Sequence, residues 1–234
     1  MLFDLDDTLL HSYGNAKAAW LAVASEFAGD LAPLSTSEVV DAVAEVSRGF
    51  WADADHHRYW RLRLLEARRE IVVQALVGLA TAGRPSALID VARRLADRFS
   101  AYRDEQMRLL PEAHQVLDVL RSRGILLGLV TNGAAEAQRA KVERFDLARR
   151  FDHIQIEGEH GFGKPEERAY LHALRQLGVD AHETWMIGDN LEWEVAAPQR
   201  LGIYAIWFDG AGEGLPKDTQ IRPDRIIRAL SEVL

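Results

Sequence analysis

Four short polar clusters hold the residues that could do chemistry. Asp4-Leu5-Asp6-Asp7-Thr8 follows the apolar residues Met1-Leu2-Phe3, and Thr131-Asn132-Gly133 follows the run from Ile125 to Val130. Gly188-Asp189-Asn190 follows Met186-Ile187, with Glu192 and Glu194 just behind, while Gly161-Phe162-Gly163-Lys164-Pro165 leads into a helix. Together they offer several carboxylates, a hydroxyl, backbone amides near Asn132 and Gly133, and one lysine. Carboxylates at this density repel one another unless a cation joins them, and oxygen-only ligands select Mg2+ over softer metals. A carboxylate can attack phosphorus and split one hard displacement into two easier ones. The transferring group carries its charge on equatorial oxygens, which Thr131, those amides, Lys164 and the metal could neutralise. The inventory suits phosphoryl transfer.

Clusters so far apart in sequence need a scaffold that brings them to one edge. From Pro111 onward, short apolar runs alternate with amphipathic helices. Pro111 to Arg123 has Ala113, Val116, Leu117 and Leu120 on one helical face, with Pro111 suited to a first turn and Gly124 to a helix end. Strands are expected at Ile125–Val130, Phe151–Ile156, Thr184–Ile187 and Ile203–Phe208, and helices at Pro165–Leu177 and Leu191–Leu201. Such alternation predicts a three-layer α/β/α, Rossmann-like parallel sheet, whose ligand site lies beyond the carboxyl ends of its strands. Only Met1, Leu2 and Phe3 precede Asp4, fewer than the five or six residues usual for a central strand. Either that strand is short or the true start lies upstream.

Residues from about Ser12 to Leu109 have a different texture. Trp20, Val23, Ala24 and Phe27 share a helical face, as do Val39, Val40, Val43 and Val46, and as do Leu88, Val91, Ala92, Leu95 and Phe99. No strand is expected among them. The block is too long for a loop and requires its own core. The chain is therefore read as a discontinuous sheet domain, residues 1–12 and 109–234, carrying an inserted all-helical domain at 13–108.

Composition narrows the partners. The 234 residues are 48% hydrophobic with a formal net charge of -8, which argues against nucleic acid or an anionic membrane. The chain has no cysteine, so disulfides and thiolate chemistry are excluded. No apolar run approaches the roughly 18 residues of a membrane span, and no signal peptide is evident at the start. A cytoplasmic protein acting on a small phosphorylated metabolite, as a monomer or homodimer, is expected.

Phe3-Asp4-Leu5-Asp6-Asp7-Thr8-Leu9, Thr131-Asn132-Gly133, Lys164-Pro165, and Gly188-Asp189-Asn190 with Glu194 resemble, in order, the four motifs of the haloacid dehalogenase superfamily of hydrolases. The helical block sits where one subclass inserts a helical cap, which would close over the bound ester and reopen for release. The resemblance implies that Asp4 is the nucleophile and a metal ligand. It implies that Asp6 protonates the leaving oxygen, deprotonates water, and offers its carbonyl to the metal. Thr131 would hold a phosphoryl oxygen with the Asn132 and Gly133 amides, Lys164 would offset the charge of Asp4 and the phosphate, and Asp189 would complete the Mg2+ site with Asn190 close by. The family's usual second acid in the last motif is Asp; the extra methylene of Glu194 suits a water-mediated or outer role. Dehalogenation in this family needs no leaving-group proton and those enzymes lack an Asp at the position of Asp6, so Asp6 favours phosphate ester hydrolysis through a phosphoaspartate. A phosphomutase acting on a sugar phosphate, or a non-enzymatic binding or regulatory protein on the same scaffold, are the alternatives.

Simpler roles suit several neighbours. Asp7 suits local hydrogen bonding, Thr8 bracing of the loop, and Glu192 a solvated helix face. His56 and His57 are adjacent on a helix and point apart, with no third ligand spaced nearby, so metal binding there is not expected. Within the same cationic and aromatic cluster, Arg58 and Arg63 are candidates for gripping an anionic substrate group and Trp51 for stacking.

Overall fold

The computed structural model of the chain describes residues 1–11, 15–80 and 85–234. The expected boundary between residues 12 and 13 lies outside the described residues. The chain divides into two compact units, Met1–His11 with Arg108–Leu234, and Ser12–Met107.

The second unit is helical: α1 (Ala16–Glu26), α2 (Ala28–Leu31), α3 (Thr36–Phe50), α4 (Ala54–Trp60), α5 (Leu64–Leu79) and α6 (Pro85–Gln106). Its core joins the three expected stripes, through Val23, Val39, Val43, Val91, Leu95 and Phe99, to the Ile71, Val72 and Leu76 face of α5. The start of α3 is fixed by a capping box, in which Ser35 N–H donates to Glu38 and Glu38 N–H donates to Ser35 Oγ. Such a cap contributes about 1 kcal/mol by satisfying helix-end amides. Arg69 on α5 forks onto both carboxylate oxygens of Asp97 on α6 at 2.6 and 2.8 Å.

The first unit is built on a six-stranded parallel sheet ordered β5-β4-β1-β6-β7-β8, formed by β1 (Leu2–Phe3), β4 (Gly128–Thr131), β5 (His153–Ile156), β6 (Trp185–Gly188), β7 (Tyr204–Phe208) and β8 (Arg225–Ile227). A separate antiparallel pair joins β2 (Leu10–His11) to β3 (Arg108–Leu109). Helices α7 (Ala113–Ser122), α8 (Ala135–Arg144), α9 (Glu157–His160), α10 (Glu167–Leu177) and α11 (Ala197–Gln199) connect the strands. Strand pleating sends Leu2, Val130 and Met186 to the face covered by Tyr170, Ala173, Leu174 and Leu177 of α10. Among the described residues no helix is long and apolar enough to cross a membrane.

Four local expectations change. Arg108–Leu109 is a strand at the end of a block read as purely helical, and β8 carries only a short apolar signal. Pro111 lies in a turn ahead of α7 rather than in its first turn, because the helix opens at Glu112. The expected helix at Leu191–Leu201 is a π-helical stretch, Leu191–Ala196, followed by the short α11.

The sheet order decides where a site can form. The chain winds outward from β1 through β4 to β5, then crosses back to β6 and winds the other way through β7 and β8. The reversal falls beside β1, and parallel sheets bind ligands at such a switch point, beyond the strand ends. Asp4 is the residue after β1, Thr131 the last of β4, and Asp189 the residue after β6.

Candidate active site

Asp4 is tied to the sheet by its N–H, which donates to Ile187 O at 2.9 Å. Its carboxylate Oδ1 accepts from Lys164 Nζ at 2.5 Å, and the same ammonium lies 2.7 Å from Glu194 Oε1. All three side chains are buried, so each charge depends on the others. Burial pushes the Asp4 carboxyl up against the opposing pull of Lys164. Burial also pushes Glu194 up to about 7, again opposed by Lys164. For Lys164, burial works against the charge, but Asp4 and Glu194 together hold the ammonium above the usual lysine range.

Glu194 reaches this place because the π-helical stretch turns it inward. Asn190 opens that stretch by accepting from Glu192 N–H and Trp193 N–H, each at 3.0 Å, and Asn190 N–H donates to Glu194 Oε2 at 2.8 Å. Tyr170 donates to the Trp193 carbonyl, which gives that turn a buried anchor. A Cβ on Gly188 would meet Glu194 Cγ at 2.0 Å; the glycine is the space through which Glu194 passes. Glu194 thus lies against Lys164, offering the same ammonium a different carboxylate from that of Asp4.

Lys164 is held by its backbone as well. Asn132 accepts from Lys164 N–H at 2.8 Å and donates to Lys164 O at 2.7 Å. The side chain of Asn132 is a staple between the second and third clusters. Gly133 differs from expectation: its N–H donates to the buried Glu157 Oε2 at 3.1 Å, so in this arrangement that amide is engaged by a carboxylate rather than open to a phosphoryl oxygen.

Asp6 faces another group. Lys141 Nζ donates to its two carboxylate oxygens at 2.7 and 2.8 Å, and Gln138 Nε2 donates to it at 2.9 Å. The same Gln138 nitrogen donates to Thr131 Oγ1 at 2.6 Å, joining the first cluster to the second. Asp7, between them in sequence, takes a left-handed backbone with φ of 57° as the chain turns back toward β2. Thr8 is buried, and its hydroxyl oxygen has no hydrogen-bond partner among the described residues, so it does not brace the loop by hydrogen bonding.

Asp189 follows β6, and its carbonyl accepts from Trp207 Nε1 at 2.6 Å. Its carboxyl is pushed up to about 8, first by burial and then by the negative charges of Asp4, Glu194 and Asp7. Asp189 as a residue is exposed, and solvent on that open face damps the shift. Among the described residues no three His, Asp or Glu side chains form a ready cage for a metal. Mg2+ does not need one: it keeps several waters and uses one or two carboxylates with substrate oxygens. The mutual repulsion of Asp4 and Asp189 fits a cation between them.

Sequence reading missed Gln138, Lys141, Glu157, Tyr170 and Trp207. Gln138 and Lys141 left one signal, since they lie three apart on the helix following Thr131-Asn132-Gly133 and so share a face. The suggested grip in the helical unit is not gathered as expected. Arg58 and Arg63 are exposed, and Arg63 donates to Tyr59 O at 3.1 Å while its guanidinium covers the Tyr59 ring at 4.2 Å. Trp51 is half-buried and packs edge-on against His57.

The family described as haloacid dehalogenase-like hydrolase matches residues 1–202. A phosphoserine phosphatase from Thermus thermophilus is 39% identical over 143 residues, which is 61% of the chain and 56% of that enzyme. A ribulose-1,5-bisphosphate 5-phosphatase from Halopiger xanaduensis is 32% identical, over 91% of the chain and 85% of that enzyme. Among solved structures, a 2-haloacid dehalogenase from Pseudomonas syringae superimposes with a TM-score of 0.62 at 28% identity, covering 99% of this chain and 94% of that one. The chain belongs to the haloacid dehalogenase-like hydrolases.

Proposed function

We propose that this phosphatase hydrolyses a small phosphomonoester with Mg2+ through a phosphoaspartate on Asp4. The observation that carries the reading is the buried Lys164 ammonium, 2.5 Å from Asp4 and backed by Glu194. A phosphoryl group arriving beside Asp4 adds negative charge where two carboxylates already converge. Catalysis of phosphoryl transfer is mainly positioning and charge stabilisation, and a fixed cation there supplies both. The names of the curated relatives, acting on phosphoserine and on ribulose-1,5-bisphosphate, support a small phosphorylated metabolite as the substrate class.

Asp4 attacks phosphorus, the ester P–O bond breaks, and the leaving oxygen takes a proton from Asp6. Asp6, now a carboxylate, removes a proton from the water that attacks the phosphoaspartate, releasing phosphate and restoring both aspartates. A C–halogen bond would need no such donor, because halide leaves unprotonated. Lys141 and Gln138 orient Asp6, while Gln138 fixes Thr131 toward the same reaction. Asp4, Asp189 and the Asp6 carbonyl would hold Mg2+, whose chemistry is to neutralise the phosphoryl oxygens as the bonds exchange.

Purified protein with MgCl2 is expected to turn over an aryl phosphate, and acid quenching is expected to trap a labelled phosphoenzyme that Asp4→Asn does not form. Absence of turnover on both the aryl phosphate and a broad phosphometabolite panel overturns the reading.

A further inference from the structure

Strand β5 leads directly into a buried acid that takes no part in the proposed reaction. Thr131 and Ile156 are partners in the parallel register of β4 and β5, so Asn132-Gly133 and Glu157-Gly158 leave the sheet side by side. Glu157 is 2% exposed. Two bonds join this pair to Gly133: Gly133 N–H donates to Glu157 Oε2 at 3.1 Å, and Gly158 N–H donates to Gly133 O at 3.0 Å. These groups belong to the two peptide planes on either side of Gly133. That residue has φ of 122°, and a glycine by itself leaves both planes free to turn. The bonds remove that freedom, and the one to the carboxylate is charge-assisted, roughly twice as strong as a neutral bond.

The segment that starts at Glu157 returns to the same place. Glu157 O accepts from Gly161 N–H at 2.8 Å, and Gly161 turns the chain with φ of 72°. A Cβ on Gly163 would lie 2.5 Å from Asn132 Oδ1 and 2.8 Å from Glu157 Cδ, so both side chains lie against the backbone just before Lys164. The plane that Glu157 fixes is the peptide between Asn132 and Gly133, and it sets how Asn132 sits. Asn132 in turn holds the Lys164 backbone at both its N–H and its carbonyl, and Lys164 Nζ stands 2.5 Å from Asp4.

We propose that Glu157 is a positioning residue: by accepting from the Gly133 amide it holds Asn132, and through Asn132 it holds Lys164 in place beside Asp4. Its effect on rate rests on the phosphatase reading; the clamp on Gly133 does not. A misplacement of about 1 Å at a reacting group can cost on the order of a hundredfold in rate, so a residue that never touches the phosphoryl group can still govern turnover.

The test compares the parent with Glu157→Ala and Glu157→Gln by aryl phosphate kinetics in MgCl2 and by native-state hydrogen exchange at the Gly133 amide. Glu157→Ala is expected to speed that exchange by about tenfold or more, as loss of a charge-assisted bond should. It is also expected to lower kcat by about tenfold to a hundredfold with KM nearly unchanged. Glu157→Gln keeps a side-chain oxygen that can accept from the amide and should recover most of both losses, which a role in packing alone does not require. If Glu157→Ala does not fold, Glu157→Asp, one methylene shorter, takes its place with the same expected losses. An unchanged kcat, unchanged exchange at Gly133, or a glutamine variant no better than the shortened one overturns the role. A KM that falls while kcat holds also overturns it, since that marks a carboxylate competing with substrate for the amide. A parent without turnover overturns the proposed reaction, and the exchange comparison, which needs no turnover, then decides the clamp by itself.

Discussion

Lys141 donates to both carboxylate oxygens of Asp6, at 2.7 and 2.8 Å. Both partners keep some solvent contact, so the pair contributes little to stability, about 0 to 1 kcal/mol. Its effect falls on where Asp6 points. Lys141→Met is expected to lower kcat by about tenfold to a hundredfold, within the range that misplaced acid–base groups lose, while the melting temperature moves only slightly. Lys141→Arg should recover part of the loss. Steady-state kinetics beside thermal melting checks this, and a kcat within twofold of the parent would remove Lys141 from the positioning role.

Asp6 itself should show its role through the leaving group. Asp6→Asn is expected to slow alkyl phosphate hydrolysis by about 10² to 10⁴, the usual worth of a general acid. The loss should be smaller for a nitrophenyl phosphate, whose leaving oxygen hardly needs the proton. Equal losses on both substrates would contradict the proton-donor assignment.

Glu194 is predicted to act through Lys164. Glu194→Gln keeps the shape but leaves Asp4 as the sole carboxylate of the triad. The expected cost is about 1 to 3 kcal/mol in urea unfolding, less than the ~3–5 typical of stripping a buried charge of its only partner. Gly188→Ala should also destabilise, by about 1 to 3 kcal/mol as for other overpacked sites, because its Cβ falls 2.0 Å from Glu194 Cγ. Two unfolding midpoints unchanged from the parent would mean that the inward path of Glu194 is not a packing constraint.

The pH dependence of stability follows from Asp189. Its folded-state pKa is raised from 3.8 toward about 8, a shift that solvent on its exposed face damps, so the folded chain binds this proton more tightly than the unfolded one. The associated stability is fully present below the unfolded value and is lost as pH rises toward about 8. Metal-free protein should therefore melt progressively lower through that window, and Asp189→Asn should flatten the fall. Mg2+, binding the native carboxylates, should raise the melting temperature most at the alkaline end. Melting curves with and without MgCl2 across the window test both statements; a metal-free curve that rises instead would reverse the sign.

Much of the architecture could be read from residue patterns. The stripe at Ala113–Leu120 and the helix expected at Pro165–Leu177 became α7 and α10 because their spacing is helical and their apolar faces are buried. Strands β4 to β7 lie inside their expected apolar runs to within a residue or so. The short pairs and β8 were hidden, since two or three residues give no period to read. The π turn at Leu191–Ala196 was hidden for a different reason: its apolar pattern also suits an α-helix, and the contacts it makes with Tyr170 and Lys164 are between residues far apart in sequence.

Sequence by itself determined the four polar clusters, their order, and the apolar runs that must deliver them to one sheet edge, because hydrophobic periodicity and strand-end placement are local properties. Tertiary structure decided which group faces which. Lys164 meets both Asp4 and Glu194, Asn132 staples the lysine backbone, the Gly133 amide goes to Glu157, and Gln138 with Lys141 hold Asp6 and Thr131. These pairings join residues up to 160 positions apart, and in a buried site each charge settles where another can compensate it, which no local pattern records.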